Sequence, residues 1–259
     1  MTARLLTPFR EGHFPLIGFV NEGQKESLGA DGVREMLDLW LDAGASLGNH
    51  TYSHIDINNV SLDEYTADIV QGETILRAAL SAHGKRVEFF RHPFLHKGSN
   101  VEMKQGLQEF LDKRRYRVAP VTLDNADYEF AALYTNPEFR ARVKSEYVPY
   151  MERIVSFFEQ RSKEVTGTEI PQILLIHASQ MNADLMRDLL AMFKSRGYAF
   201  ISLDEALRDR AYSLKDGYTG KNGISWIHRW AVAKGMEPKS EPDVPGWVQE
   251  GWRKRRSWQ

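Results

Sequence analysis

An α/β fold with a largely parallel sheet is what this sequence predicts, and three observations predict it. Apolar runs of strand length alternate with stretches of helical periodicity through most of the chain, and such alternation marks βαβ units. The runs are continuously apolar, as in Phe14 to Val20, which suits strands buried on both faces. The 259 residues fit one domain of barrel or doubly wound size.

Residues 1–13 mix Pro8, Arg10, Glu11 and His13 with scattered apolar positions and read as an irregular N-terminal end. Residues 14–20 form the first strand, bounded by Asn21-Glu22-Gly23. Residues 32–44 follow as an amphipathic helix. Its Val33, Met36, Leu37, Trp40 and Leu41 share one face, and Gly44 stops it. A short strand over 46–49 comes next. Ser61-Leu62-Asp63-Glu64 is a capping box that opens one helix running to about Ala82. Residues 87–90 read as a strand and 101–114 as a helix with a basic C-terminal end. Residues 118–123 are a further strand. A long helical pattern covers roughly 137–164, with Pro149 expected to kink or split it. A strand over 173–176, a helix from Asn182 to Gly197, a last strand over 198–203 and a short helix from Asp204 complete a domain spanning 14–210.

The remainder, 211–259, is expected to be a Trp-rich extension packed on the domain, holding Trp226, Trp230, Trp247, Trp252 and Trp258. Trp226 and Trp230, at i and i+4, form either a helix face packed on the domain or a sugar-stacking platform. Arg253-Lys254-Arg255-Arg256 reads as a solvated end.

Composition excludes several functions. With 34 basic and 35 acidic residues the formal charge is −1, which gives no general attraction to nucleic acid or anionic membrane. No apolar run approaches the length of a membrane span, and the first twenty residues carry no signal peptide pattern. The absence of cysteine removes disulfide and thiol chemistry.

Four polar residues, His50, Arg91, Asp124 and His177, each stand at the C-terminal end of a predicted strand. In α/β folds that edge is where sites assemble. His50 is joined by His54 in Gly48-Asn49-His50-Thr51-Tyr52-Ser53-His54. A turn there brings both rings to one side, about 5–6 Å apart at Cβ, close enough to share one divalent metal ion. His83, His92 and His96 read as helix-end, packing or groove-edge residues.

Taken in order, His50 to His54, Phe90-Arg91-His92-Pro93-Phe94, Leu123-Asp124-Asn125-Ala126-Asp127-Tyr128 and Leu174-Leu175-Ile176-His177 resemble motifs two to five of the NodB-homology polysaccharide deacetylases, carbohydrate esterase family 4. The resemblance runs from about residue 15 to about residue 230. It implies a distorted (β/α)7-type barrel whose N-terminal strand is missing here. The family's first motif, an Asp-Asp strand end that supplies a metal ligand and the catalytic base, has no counterpart, because the chain has no aspartate before Asp31.

The resemblance further implies that His50 and His54 bind a divalent metal, zinc or cobalt, and that His177 is the general acid. Arg91 would hold the base, Pro93 and Phe94 would shape the substrate groove, and either Asp124 or Asp127 would tune His177. Glu22, at the exit of the first strand, is the nearest carboxylate available as a substitute base. The expected activity is metal-dependent removal of acetyl groups from a sugar polymer such as chitooligosaccharide or peptidoglycan. A degenerate glycan-binding relative without turnover, or a small-amide hydrolase on the same scaffold, are the alternatives. The family points to a periplasmic or secreted full-length form, with a chain that begins downstream of its natural start.

Overall fold

The computed structural model describes residues 1–237 and 239–256. Residues 2–12 form a helix, α1 (Thr2–Gly12), where an irregular end was expected. Leu5, Leu6 and Phe9 recur at helical spacing and are buried, so the polar residues between them only mask an amphipathic face. His13, in the left-handed region at φ 51°, ends the helix and turns the chain into β1 (Ile17–Val20).

Helix α2 (Lys25–Asp42) is bent at Gly29, whose φ of 72° and ψ of 163° are not helical, so the regular part begins close to the expected Gly32. Strand β2 (Ser46–Asn49) leads to two helices, α3 (Leu62–Gln71) and α4 (Thr74–Ala82), where one was expected. The break has a steric origin. A Cβ on Gly72 would lie 2.7 Å from the carbonyl carbon of Thr51, and Glu73 turns inward to Arg77, Arg114 and Tyr116. The capping box at Ser61 and Glu64 is formed.

Strand β3 (Phe89–Phe90), helix α5 (Val101–Lys113) and strand β4 (Arg117–Val118) follow, then α6 (Asp127–Tyr134). Helix α7 (Pro137–Thr166) runs for 30 residues straight through Pro149, neither split nor terminated. Its buried face, including Tyr147, Met151, Ile154 and Phe158, supplies enough packing to outweigh one absent hydrogen bond. Asn136 caps its start, and Gly167 at φ 83° ends it.

Helix α8 (Gln180–Ser195) is capped by Ser179, a short α9 (Leu203–Ala206) by Ser202. The extension adds α10 (Trp226–Ala233) and α11 (Gly246–Arg256). Trp226 and Trp230 are buried, which makes them packing residues and not a platform. Trp258 lies outside the described residues.

All strand pairs are parallel, in the order β1-β2-β3-β4. The expected strand over 118–123 is regular only at its start. The strand expected over 173–176 is reduced to one parallel bridge, Leu123 to Leu174, and residues 198–202 form no strand among the described residues. The sheet therefore does not close. One core lies between the sheet and α2 to α5, around Leu37, Tyr65, Ile69 and Leu111. A larger one surrounds α7 and α8 and takes in α6 and α10. Between β1 and residues 173–178 a cavity of about 1490 Å³ remains.

Candidate functional site

The site is built at the C-terminal ends of these strands. His50 leaves β2 through a turn in which Thr51 and His54 both take left-handed backbone, φ 66° and 57°. Such conformations cost of order 1–3 kcal/mol each in a non-glycine residue, and contacts from two sides hold them. The Asp68 carboxylate accepts the Tyr52 and Ser53 amides at 3.0 Å and the Ser53 hydroxyl at 2.9 Å. From inside, Glu73 accepts the Tyr116 hydroxyl, which accepts Asn49 Nδ2, while Asn49 Oδ1 accepts the Thr51 amide. The sequence gives no direct signal for Asp68, Glu73 or Tyr116, because they come from α3, α4 and the lead into β4.

The result is a pair of imidazoles with ring centroids 4.8 Å apart. His50 Nδ1 lies 2.7 Å from the Arg91 carbonyl oxygen and so donates to it, leaving Nε2 as a lone-pair donor. Burial, with the nearby His54, Arg91 and His177 adding to it, lowers the His50 pKa to about 3. Burial and the charge of His177 lower that of His54. Both rings are neutral at physiological pH, the state a metal ligand requires.

Arg91, 3% exposed, leaves β3 and donates from Nε to the Ala119 carbonyl at 2.8 Å and from Nη2 to the Pro120 carbonyl at 3.4 Å. Its guanidinium lies over the Phe19 ring, 4.4 Å from the centroid. No carboxylate pairs with it among the described residues, and burial pulls its pKa down to about 9. Pro93 is buried at the start of a turn, Pro93–Leu95. Phe94 projects from that turn at φ 54°, 52% exposed and 4.5 Å from the His54 ring, where it can form a wall beside the imidazole pair.

His177 lines the same cavity as this pair, and its charge helps to lower the pKa of both rings. Of the two aspartates, Asp127, at the start of α6 and fully buried, is the one bonded to His177. Its Oδ1 is 2.7 Å from His177 Nδ1, and its Oδ2 accepts the His177 amide at 2.8 Å and Asn182 Nδ2 at 2.7 Å. Burial opposes charging of His177, but the bond to Asp127 and the charges of Asp127 and Asp124 outweigh it, so the pKa is raised. Asn182, on α8, was not singled out from the sequence. It is a polar residue on an apolar helix face, locked by Tyr147 and the His177 carbonyl. Among the described residues Asp124 accepts one hydrogen bond, from the adjacent Asn125 amide. Burial, with Glu241 nearby, raises its pKa to about 7.

Glu22 is not in the site. It is fully buried, and its Oε1 accepts the Leu76 amide at 2.7 Å, satisfying the N-terminal turn of α4. The helix needed a capping acceptor, and the strand exit supplied it. His92 packs between Phe90 and Trp226, and His96 pairs with Asp56 at 2.7 Å; neither joins the imidazole pair. Among the described residues no group of three His, Asp or Glu side chains is placed to hold a metal ion. The pair is one protein donor short of a catalytic zinc site.

Residues 1–109 match the family model described as polysaccharide deacetylase. Among curated proteins none matches the chain. Among solved structures, the chain is similar to wild-type BA3943 from Bacillus anthracis, described as a CE4 family pseudoenzyme. The TM-score is 0.55 with 17% identity over 80% of this chain and 60% of that one. A mutant of BA3943 with restored enzymatic activity matches with TM-score 0.55 and 17% identity, over 80% of this chain and 62% of that one. A mutant of the peptidoglycan deacetylase PdaC from Bacillus subtilis matches with TM-score 0.54 and 18% identity, over 82% and 87%. The chain spans less than two thirds of the length of the BA3943 structures. These likenesses bear out the fold class, and the family match supports the resemblance read from the motifs.

Proposed function

We propose that this chain, with its polysaccharide-deacetylase family match and CE4-type fold, presents the acid half of a site that hydrolyses acetyl groups on a sugar polymer such as chitooligosaccharide or peptidoglycan. The observation that carries this reading is the His177–Asp127 pair in the lining of the same cavity as two neutral imidazoles. Hydrolysis of an acetamide needs a proton delivered to the departing amine. His177 is suited to that role: Asp127 fixes its Nδ1 proton and leaves Nε2, on a side chain 49% exposed, to meet the substrate.

His50 and His54 are the residues that would hold a divalent ion, zinc or cobalt, which when bound polarises an acyl oxygen and lowers the pKa of water. With two protein donors in place the set is incomplete, so the residues described do not by themselves account for that ion. Asp124 is a carboxylate whose charge acts on both Arg91 and His177, and burial leaves it partly protonated near neutrality, a poor match for a carboxylate held permanently by Arg91. Phe94 and Tyr128, exposed beside His54 and His177, offer aromatic faces for a sugar ring.

A second reading, a glycan-binding relative without turnover, is favoured by the turn of Glu22 away from the site and by the unpaired Arg91. Acetate release from chitooligosaccharide and peptidoglycan fragments, with added zinc or cobalt and with chelator, separates the two. Release that is lost in His177→Ala supports the deacetylase. No release alongside retained oligosaccharide binding establishes the second reading.

A further inference from the structure

The turn Pro93–Leu95 is strained, and the C-terminal extension holds it. Phe94 and Leu95 are consecutive left-handed residues, φ 54° and 57°, a conformation that is costly for any residue with a Cβ. Within the turn, the Leu95 amide donates to the His92 carbonyl and the His96 amide to the Pro93 carbonyl. Neither bond uses the carbonyls of Phe94 and Leu95, and the extension meets both. The Leu95 carbonyl accepts Arg229 Nη2 at 2.8 Å. The Phe94 carbonyl lies against the backbone of Gly223, where a Cβ would come within 1.8 Å of its oxygen.

Arg229 is itself fixed from several sides. It is 1% exposed, its Nε donates to the Ile224 carbonyl at 3.3 Å, and its Nη1 lies 3.4 Å from Asp216 Oδ2. The same carboxylate takes Lys97, just beyond the turn, at 3.0 Å and Lys104 of α5 at 3.1 Å. The far end of the loop is anchored to the chain after β4, where Ser225 Oγ donates to the Thr122 carbonyl and the Trp226 amide to the Val121 carbonyl, both at 2.8 Å. Asn58 Nδ2 donates to the Lys221 carbonyl at 2.8 Å and ties the loop to the segment that follows His54. A planar guanidinium can reach a carboxylate and two carbonyls at once, whereas a lysine ammonium at the same place has no such fork.

This clamp fixes the place of Phe94, whose ring meets His54 edge to face, centroids 4.5 Å apart at 71°. We propose that Arg229 is a positioning residue of the site: through the Leu95 carbonyl, with Gly223 seated on the Phe94 carbonyl, it keeps the Phe94 ring against His54. The wall on which a sugar ring stacks is then set by the extension and not by the 14–210 domain alone. The sugar rests on the deacetylase-type reading above; the placement of Phe94 by Arg229 does not.

The test uses the full chain at one fixed pH, without added metal. In wild type, NMR cross-relaxation is expected between the Phe94 and His54 rings, and its absence overturns the proposal. Arg229→Lys keeps a charge beside Asp216 and loses the fork. It is expected to shift the His54 ring resonances and leave those of His177 in place, a contrast that general loosening of the fold does not produce. Gly223→Ala is expected to give the same pattern from the other carbonyl of the turn. In calorimetric titration with a chitooligosaccharide, Phe94→Ala and Arg229→Lys should each weaken binding up to about tenfold, and the double variant no more than Phe94→Ala alone. Additive losses in the double variant, or His54 resonances unmoved in both Arg229→Lys and Gly223→Ala, also overturn the proposal. A wild type that binds no oligosaccharide overturns the glycan reading of the site instead, and the His54 resonances still decide the role of Arg229.

Discussion

Replacing Asp127 by asparagine removes the one carboxylate bound to His177 while keeping nearly the same shape. The Asp127 oxygens accept three hydrogen bonds, from the His177 ring, the His177 amide and Asn182 Nδ2. Asparagine offers one acceptor oxygen, and its own NH₂ must face a donor. A hydrogen bond to a charged group contributes about 1.5–3 kcal/mol. The His177 side chain is 49% exposed, so solvent screening places its share at the low end. The Asn182 bond is buried and keeps more, giving a total loss of about 2–3 kcal/mol on the acid side of neutrality. A histidine with a raised folded pKa contributes stability that is complete below its unfolded value of 6.5 and is lost as pH rises through the folded value. The His177 share of the deficit is therefore largest below pH 6.5 and fades on the alkaline side, while the Asn182 share persists. Urea unfolding of both proteins from about pH 5.5 to 8.5 measures it, and an NMR titration of the His177 ring shows its pKa falling in the variant. A deficit independent of pH, or an unmoved His177 titration, refutes the role given to Asp127.

Glu73→Gln breaks the buried node that accepts from Arg77, Arg114 and Tyr116. Because both arginines are partly exposed, urea unfolding should show a loss of about 1–3 kcal/mol, not the larger cost of a fully buried orphan. Gly72→Ala forces a methyl group to within 2.7 Å of the Thr51 carbonyl carbon and should cost about 1–3 kcal/mol, with the His50 and His54 ring resonances shifted by NMR. The Asp124 pKa, raised to about 7 from 3.8 mainly by burial, means a contribution complete below pH 3.8 and lost as pH rises through about 7. Asp124→Asn should therefore gain stability on wild type between acid and alkaline pH, and parallel unfolding curves would contradict the assigned burial. Added zinc should raise the melting temperature of wild type and not of His50→Ala; equal shifts in both would remove His50 from the ligands.

Much of the scaffold was legible because its causes are local. The capping box at Ser61, the stop at Gly44, the periodic face of α2 and the helical stretch of α7 depend on neighbours a few residues away, whereas the turn that brings His50 and His54 together is held by Asp68, Glu73 and Tyr116 from other elements. The long α7 went past Pro149 because burial of a whole helix face outweighs one absent hydrogen bond, a balance that no local rule contains. The N-terminal helix was hidden for the same reason: Leu5, Leu6 and Phe9 acquire meaning only against α8.

The site divides along the same line. Position at predicted strand ends singled out His50, Arg91, Asp124 and His177, and the family motifs added His54 and Asp127. Which aspartate serves His177 was decided by tertiary structure, where α6 begins at Asp127 and sets its carboxylate under the imidazole while Asp124 is left to burial. The fate of Glu22 was decided likewise, by the nearness of α4's N-terminal amides. Sequence alone determined what each group can do chemically; only the folded chain decided which groups meet, because hydrogen bonds and charge act over a few ångströms of space and not along the chain.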